Sequence, residues 1–254
     1  MLQVDKWTFP AGERGVRVEL GYHGSMGFQV RLNFKNSDSI IDMLLTVDAI
    51  RREYGSVPIT LYAPYFPYAR QDRKMQAGES HSLKVIADLV NSCKFTEVKV
   101  VDPHSNVLEA LVDNLVIVPQ FEAAEAVLDS ETFSPRTYDY LIAPDAGAMK
   151  KIYKLSERYE VPVICAHKKR EVSTGKITHT TLTPEDFQKL SGGDKRVLVV
   201  DDICDGGATF INLAVALPSD CKKDLYVTHG IFSKGKVELY QHYENILCYN
   251  DMSI

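Results

Sequence analysis

The chain has 254 residues, of which 45% are hydrophobic and 25% are charged, which is ordinary for a globular protein of one large domain or two small ones. Its 29 basic and 34 acidic residues give a formal net charge of -5 and exclude a global basic field that would attract nucleic acid or an acidic membrane. Five cysteines without a CxxC pair indicate free thiols in a reducing compartment, and the sequence has neither a signal-peptide pattern nor a long apolar run. We therefore expect a cytoplasmic protein that binds neither nucleic acid nor a membrane.

Strand-like apolar runs alternate with segments of helical spacing along the chain. The apolar runs are FQVRLNF, ITLYAPY, VKVVDP, LVIVP, YLIAP, VPVICA, RVLVVDD and LYVTHGIF, in chain order. The helical segments are residues 39–54, 82–92, 147–160 and 209–217. This alternation predicts an α/β fold with largely parallel sheets, in which ligands bind at the carboxyl ends of the strands. The segment around Pro119 is expected to join two lobes, residues 1–118 and 119–254.

The stretch RVLVVDDICDGGATF, residues 196–210, joins a buried strand to carboxylates and a glycine turn. Asp201 and Asp202 follow the apolar run Val197–Val200, and the turn Asp205–Thr209 leads into a helix. The backbone N–H groups of such a turn suit an anion, whereas the carboxylates suit hydroxyl groups or a magnesium-bound water. The simpler alternative is an aspartate that only caps a helix. Together these residues favour a sugar phosphate as the ligand.

The same stretch resembles the phosphoribosyl-diphosphate loop of the type I phosphoribosyltransferase fold. Further segments resemble, in order, those of the ribose-phosphate diphosphokinases, the enzymes that make phosphoribosyl diphosphate. They are FPAGE (9–13), APYFPYARQDRK (63–74), VVDPHS (100–105), APDAGAMKKIYKL (143–155) and AHKKRE (166–171). The resemblance implies two phosphoribosyltransferase-like lobes with largely parallel sheets. Residues 1–118 would form an ATP-side lobe trimmed at its N-terminus, and residues 119–254 an acceptor-side lobe.

The triphosphate of ATP is expected to bind beside the ARQDRK segment. Arg70 and Arg73, with Lys74, follow a strand end, and planar guanidinium groups suit a triphosphate. A solvated run of charges is the alternative. The resemblance implies that Arg70 and Gln71 bind the nucleotide.

The adenine contacts are assigned by resemblance alone. Phe9 would stack on the adenine ring and Glu13 would accept a hydrogen bond from its amino group, although a lone phenylalanine usually belongs to a core. Ala11 stands where the family usually has a polar residue, so one adenine contact is expected to be missing.

His104 and Asp145 are the expected metal contacts. By itself, a histidine two residues after Asp102 is as consistent with a structural role as with a ligand role. The resemblance implies that His104 contacts magnesium and phosphate and takes part in catalysis, and that Asp145 is the metal-binding carboxylate of the second lobe. It therefore implies Mg²⁺ as the cofactor and ATP as a co-substrate. Gly147 would let the backbone approach the acceptor closely.

The polar segment His167–Thr180 predicts a long mobile loop or a hairpin. Basic residues on such a loop would neutralise developing charge and exclude water during phosphoryl transfer. The resemblance implies that Lys168 and Arg170 are the catalytic pair. A solvent-facing basic hairpin is the alternative.

The acceptor site is expected in the second lobe. Its residues would be Asp145, Asp201, Asp202, Asp205, Gly206, Gly207, Ala208 and Thr209. The family usually has a hydroxyl residue where Gly206 stands and a glycine where Ala208 stands, so the 5-phosphate site is altered. Fewer donors and more room suit an esterified phosphate, and we expect either ribose 5-phosphate or ADP-ribose as the acceptor.

The resemblance implies transfer of the diphosphoryl group of ATP to the anomeric hydroxyl of such an acceptor, with release of AMP. It also implies a homo-oligomer. Two alternatives remain open. A phosphoribosyltransferase would need a base-binding hood and no ARQDRK segment, and a catalytically silent regulatory homologue would have no need of the Lys168 and Arg170 pair.

Overall fold

The computed structural model describes residues 3–19, 27–128, 134–170 and 177–253, with only the backbone described at 168–170 and 177–179. The chain folds into two compact units, Met1–Val118 and Pro119–Ile254. Within the described ranges, no helix combines the length and the hydrophobicity that a membrane crossing requires. The ATP-side and acceptor-side roles of the units stay predictions.

The first unit combines an antiparallel hairpin with a parallel sheet and flanking helices. The hairpin strands are β1 (Val4–Thr8) and β2 (Arg14–Val18). The strands of the four-stranded sheet are β3 (Phe28–Arg31), β4 (Ile59–Ala63), β5 (Glu97–Val101) and β6 (Leu115–Val118), in that order across the sheet. The helices are α1 (Asp38–Tyr54), α2 (Ser82–Ser92) and a 3₁₀ helix, Asn106–Ala110.

Helix α1 packs on the core of the first unit through a regular apolar stripe. Ile40, Met43, Val47 and Ile50 recur at the spacing of one helix face, and all four are buried. The helix ends at Gly55, whose φ of 68° lies in the left-handed region that glycine adopts without strain.

The second unit contains a five-stranded parallel sheet, a hairpin and helices. The sheet strands are β7 (Tyr140–Ala143), β8 (Val163–Cys165), β11 (Arg196–Cys204), β12 (Lys222–Gly230) and β13 (Asn245–Asp251). They lie in the order β13-β12-β11-β7-β8. The hairpin strands are β9 (His167–Arg170) and β10 (Ile177–Thr181). The α-helices are α3 (Gln120–Leu128), α4 (Ala146–Tyr159), α5 (Pro184–Leu190) and α6 (Ala208–Ala216), and 3₁₀ helices cover Pro135–Thr137 and Leu239–Gln241.

Strand β11 is central to the second sheet, and both its faces are buried. Val197 and Val199 belong to a cluster with Phe210 of α6, whereas Leu198 and Val200 belong to a cluster of the opposite face. Successive side chains of a strand point to opposite faces of the sheet. A parallel strand that is covered on both faces is therefore expected to be apolar at every position. This explains why Val197–Val200 form an uninterrupted apolar run within β11.

The structure confirms the predicted α/β fold with parallel sheets. It adds elements that the sequence analysis did not predict, namely β1, β2, α3, α5 and β13. The segment after Pro119 forms helix α3. Strand β11 does not end at Val200 but continues through Asp201 and Asp202 to Cys204, because β12 runs alongside it to Gly230.

Candidate active site

In the first unit, the ARQDRK segment and His104 follow two neighbouring parallel strands. β4 ends at Ala63 and β5 at Val101, and the two strands pair in parallel. The carboxyl ends of parallel neighbours lie at one edge of a sheet, so both segments start from the same edge. The amide of Val101 donates to the carbonyl of Pro64 at 3.1 Å, which ties these strand ends together.

The backbone before Arg70 is fixed by packing and by a left-handed turn. Phe66 is almost fully buried, and Tyr68 has a φ of 60°, which is uncommon for a bulky residue. The Tyr68 hydroxyl shares a hydrogen bond with Ser37 at 2.8 Å. Arg70 and Gln71 follow this anchor and are exposed. The structure thus presents the two predicted nucleotide ligands on the surface at the strand end.

Asp72 is the buried carboxylate of this segment. Its relative exposure is 6%, and Arg73 donates to both of its oxygens at 2.9 and 3.0 Å. The Arg73 guanidinium is the main reason why the pKa of Asp72 falls from 3.8 to about 2, while burial opposes the shift. His104 lowers the pKa of Asp72 further by its charge, so it lies near Asp72. Asp72 therefore links Arg73 to the histidine segment.

The turn that leads to His104 contains a strained residue. Asp102 is buried and has a φ of 41°, and its amide donates to the carbonyl of Val118 at 2.8 Å. Sparsely populated backbone conformations of this kind are common at functional sites. His104 itself is exposed. The turn thus directs the histidine away from the core.

The predicted adenine residues flank the tip of the β1–β2 hairpin. The amide of Phe9 donates to the carbonyl of Glu13, and the amide of Gly12 donates to the carbonyl of Phe9, both at 2.8 Å. Phe9 is 47% exposed, so it is not a core residue, and its ring lies 5.8 Å from that of Trp7. Glu13 is exposed as well. The hairpin therefore offers aromatic surface beside a carboxylate.

A cavity of about 530 Å³ lies elsewhere in the first unit, lined by residues of β1, β3 and α1. Its lining includes Lys6, Arg31 and Asp42 but none of the predicted ATP residues. Arg14 donates to both oxygens of Asp42 at 2.7 and 2.8 Å, which attaches the hairpin to α1. We place the candidate ATP site at the carboxyl ends of β4 and β5, since the polar segments with Arg70 and His104 follow these two strands.

In the second unit, the paired aspartates lie within the last part of β11, which extends past the end of β7. Asp201 is half-buried, and its Oδ1 accepts from the amide of Asp202 at 2.9 Å. Asp202 is buried, and Lys151 of α4 donates to its Oδ2 at 3.0 Å. Lys151 thus offsets one of the two adjacent negative charges.

The predicted phosphate turn runs directly into helix α6. Gly207 is the residue before the helix, with a φ of 80°, so glycine is required there. The first amides of a helix have no intrahelical partner and suit an anion. Asp205 accepts a hydrogen bond from Ser233 at 2.6 Å. Cys204, at the end of the strand, is buried, and burial raises its pKa to about 12, so its thiol stays protonated.

Asp145 has a structural role that the sequence analysis did not assign to it. It precedes α4, and its Oδ1 accepts from the amides of Gly147 and Ala148 at 2.9 and 3.1 Å. A Cβ at position 147 would lie 3.1 Å from that oxygen, so Gly147 makes room for the cap. Asp145 is half-buried at the end of β7.

The predicted catalytic residues Lys168 and Arg170 lie on β9, which pairs with β10. The backbone there is a hairpin, which was one of the two expected forms of the segment. The side chains of both residues lie outside what the structure describes, as do residues 171–176. Their catalytic role stays a prediction.

The described residues include no group of three or more histidine, cysteine, aspartate or glutamate side chains that could hold a metal ion.

Several residues near the predicted sites carry no signal in the sequence. Lys151 and Ser233 reach Asp202 and Asp205 from distant parts of the chain. His229 is buried at the end of β12, opposite Ile203 of β11. The sequence spacing of these residues does not predict their contacts, because only the fold brings them together.

Comparisons with known proteins agree on one family. A family model described as the N-terminal domain of ribose phosphate pyrophosphokinase matches residues 1–93. The ribose-phosphate pyrophosphokinase of Thermococcus kodakarensis is 32% identical over 245 residues, which cover 94% of this chain and 81% of that protein. The one from Cereibacter sphaeroides is 31% identical over 210 residues, which cover 80% of this chain and 59% of that protein. The chain thus spans about three fifths of the length of that relative.

A solved structure shares the fold. The crystal structure of phosphoribosylpyrophosphate synthetase from Mycobacterium smegmatis matches with a TM-score of 0.76 at 22% identity. The match covers 95% of this chain and 78% of that chain. The likeness in fold extends over both units.

Proposed function

Because the chain belongs to the ribose-phosphate pyrophosphokinase family, we propose that it transfers the diphosphoryl group of ATP to the anomeric hydroxyl of a 5-phosphorylated ribose. The anomeric oxygen attacks the β-phosphorus, the bond from that phosphorus to the oxygen bridging it to the α-phosphorus breaks, and AMP leaves. The hydroxyl proton passes to solvent. The observation that carries the proposal is the acidic end of β11 running into the glycine turn that starts α6.

On the acceptor side, the turn Asp205–Thr209 binds the 5-phosphate and the aspartates orient the ribose. Asp201 and Asp202 accept hydrogen bonds from ribose hydroxyls, which is the role that acceptor-only carboxylates suit. Lys151 supports this role, since its ion pair at 3.0 Å offsets the charge of Asp202 beside an anionic ligand. Asp145 borders the same sheet edge at the end of β7.

On the ATP side, Arg70 and Gln71 bind the triphosphate. Their exposure at the end of β4 supports this assignment. Asp72 supports it indirectly, because it holds Arg73 by two charge-assisted hydrogen bonds. Phe9 stacks on adenine and Glu13 accepts from its amino group, a role supported by the exposed hairpin tip.

His104 and Asp145 are the residues that would contact magnesium. A bound magnesium ion supplies charge neutralisation at the phosphate oxygens. Asp145 supports this assignment by its place at the end of β7, where its Oδ1 caps α4.

Lys168 and Arg170 stabilise the transition state. Positive charge next to the transferring group lowers the barrier without acid or base chemistry, since phosphoryl transfer depends mainly on positioning and electrostatics. We propose no dedicated general base.

The acceptor is ribose 5-phosphate or ADP-ribose, and the two are distinguished by the esterification of the phosphate. A hydroxyl residue at position 206 would add a donor for a monoester, and Gly206 lacks it. A Cβ at this position would lie 3.6 Å from Cδ and Cε of Lys234, in ordinary van der Waals contact, so its nearest neighbour is a flexible side chain. A larger acceptor can displace a flexible side chain more easily than backbone, which supports ADP-ribose as an acceptor at a rate comparable to or above that of ribose 5-phosphate.

The test is a competition between both acceptors with ATP and magnesium in one reaction. AMP formation and the mass of each acceptor are followed together. If an acceptor gains the mass of two phosphoryl groups while AMP forms, the proposed function is supported. The same result excludes a phosphoribosyltransferase and a catalytically silent homologue. Exclusive use of ribose 5-phosphate would eliminate the ADP-ribose proposal, and Gly206→Thr is expected to shift preference toward ribose 5-phosphate. Light scattering would test the proposed homo-oligomer separately.

A further inference from the structure

Lys234 lies over Gly206 of the predicted phosphate turn. A Cβ built at Gly206 would lie 3.6 Å from Cδ and Cε of Lys234 and 3.8 Å from its Cγ. These are ordinary van der Waals distances, so the methylene stem crosses the surface of the phosphate turn. The ammonium nitrogen is one bond beyond Cε, so the flexible side chain can bring it to a ligand bound at the turn.

The loop that carries Lys234 is attached to the turn by hydrogen bonds. Ser233 donates to Asp205 at 2.6 Å. The amides of Ile231 and Phe232 both donate to the carbonyl of Cys204, at 2.8 and 3.1 Å. Because both ends of these bonds belong to the second unit, the position of Lys234 beside the turn is set by the fold.

The charge of Lys234 is available for a ligand. Its side chain is exposed, and it forms no salt bridge or hydrogen bond with the described residues. The neighbouring Lys236 differs, since it pairs with Asp251 at 2.5 Å and lies 4.5 Å from the Phe232 ring centroid. Lys234 is thus an uncompensated cation next to a predicted phosphate site.

We propose that Lys234 binds the acceptor by contacting its 5-phosphate beside the turn that starts α6, an inference that rests on the proposed function. A lysine ammonium has three donors on a flexible stem, so it can follow phosphate oxygens in several orientations. A hydroxyl fixed on the turn contacts one oxygen in one direction. Lys234 therefore supplies charge for a monoester or a diester alike.

Lys234→Met tests the contact, because it keeps the apolar stem and removes the charge. Lys222→Met is the matched control, since Lys222 is an exposed lysine at the opposite, amino-terminal end of β12. Hydrogen bonds to charged groups are strong enough that Lys234→Met is expected to raise the KM for each acceptor about tenfold or more. Turnover at saturation and the KM for ATP are expected to stay within about twofold of the wild type. Lys234→Arg is expected to restore most of the loss.

Calorimetric titration of ribose 5-phosphate and ADP-ribose without ATP separates this inference from the function. Wild-type protein that binds an acceptor but forms no AMP would refute the proposed reaction and still allow the Lys234 contact to be measured. Equal acceptor affinity in Lys234→Met and wild type, or equal losses in Lys234→Met and Lys222→Met, would overturn the role of Lys234. Failure of the wild type to bind either acceptor would overturn it as well.

Discussion

Gly206 and Gly207 are adjacent in the predicted acceptor turn, yet the structure predicts effects of very different size for an added methyl group. Gly207 has a φ of 80°, and a Cβ there would lie 3.3 Å from a methyl carbon of Leu239, which is a tight contact. The left-handed conformation alone costs an L-residue about 1–2 kcal/mol. Gly206 lies outside that region, and a Cβ there would be 3.6 Å from the flexible Lys234 side chain.

Gly207→Ala is therefore expected to lower the free energy of unfolding by about 1–2 kcal/mol or more, and Gly206→Ala by less than about 0.5 kcal/mol. Urea denaturation of both variants followed by circular dichroism measures the difference. The strained turn at position 207 should also raise the KM for the acceptor, because the helix amides would no longer point at the phosphate. Equal destabilisation by the two variants, or no effect at Gly207, would refute this reasoning.

Further variants test the other parts of the site. Lys168→Ala is expected to reduce turnover by about a hundredfold or more with little change in ATP affinity, and near-normal turnover would remove it from catalysis. His104→Ala is expected to raise the magnesium concentration needed for half-maximal activity, and an unchanged titration would exclude it from the metal site. The pKa of Asp72 is lowered from 3.8 to about 2, so its carboxylate stabilises the first unit above pH 3.8 and loses that effect as the pH falls toward 2. Acid unfolding of Asp72→Asn should lack this component, and an acid profile identical to that of the wild type would contradict it.

The parallel sheets were predictable because buried parallel strands are continuous apolar runs, as in Val197–Val200. The β1–β2 hairpin was not, since most of β1 is exposed and neither strand forms an apolar run. Helix α3 was missed because its nine residues follow a proline at the expected junction. Strand β13 was missed because its residues are only half-buried at the sheet edge and include polar ones.

The polar residues at the strand ends were visible in the sequence, but their partners were not. Asp202 and Lys151 are 51 positions apart, and Asp205 and Ser233 are 28 apart. No spacing rule connects such pairs, because sheet topology alone brings them into contact. Asp72 is similar, since only its burial distinguishes it from its exposed charged neighbours.

Asp145 has an observed structural role beside its predicted functional one. Asp145 caps α4 through Oδ1, and this is the role that any aspartate before a helix could take. The sequence could not separate capping from metal binding, since both place a carboxylate at the same position. Asp145→Asn would retain an acceptor oxygen for the cap while removing the charge.

The central claim is that both terminal phosphoryl groups of ATP move together to one acceptor. ATP labelled with ³²P at the α, β or γ position, incubated with magnesium and each acceptor, tests it directly. The account predicts that the β and γ labels both appear on the acceptor and that the α label remains in AMP. Recovery of the β label in ADP, with only the γ label transferred or released, would contradict it.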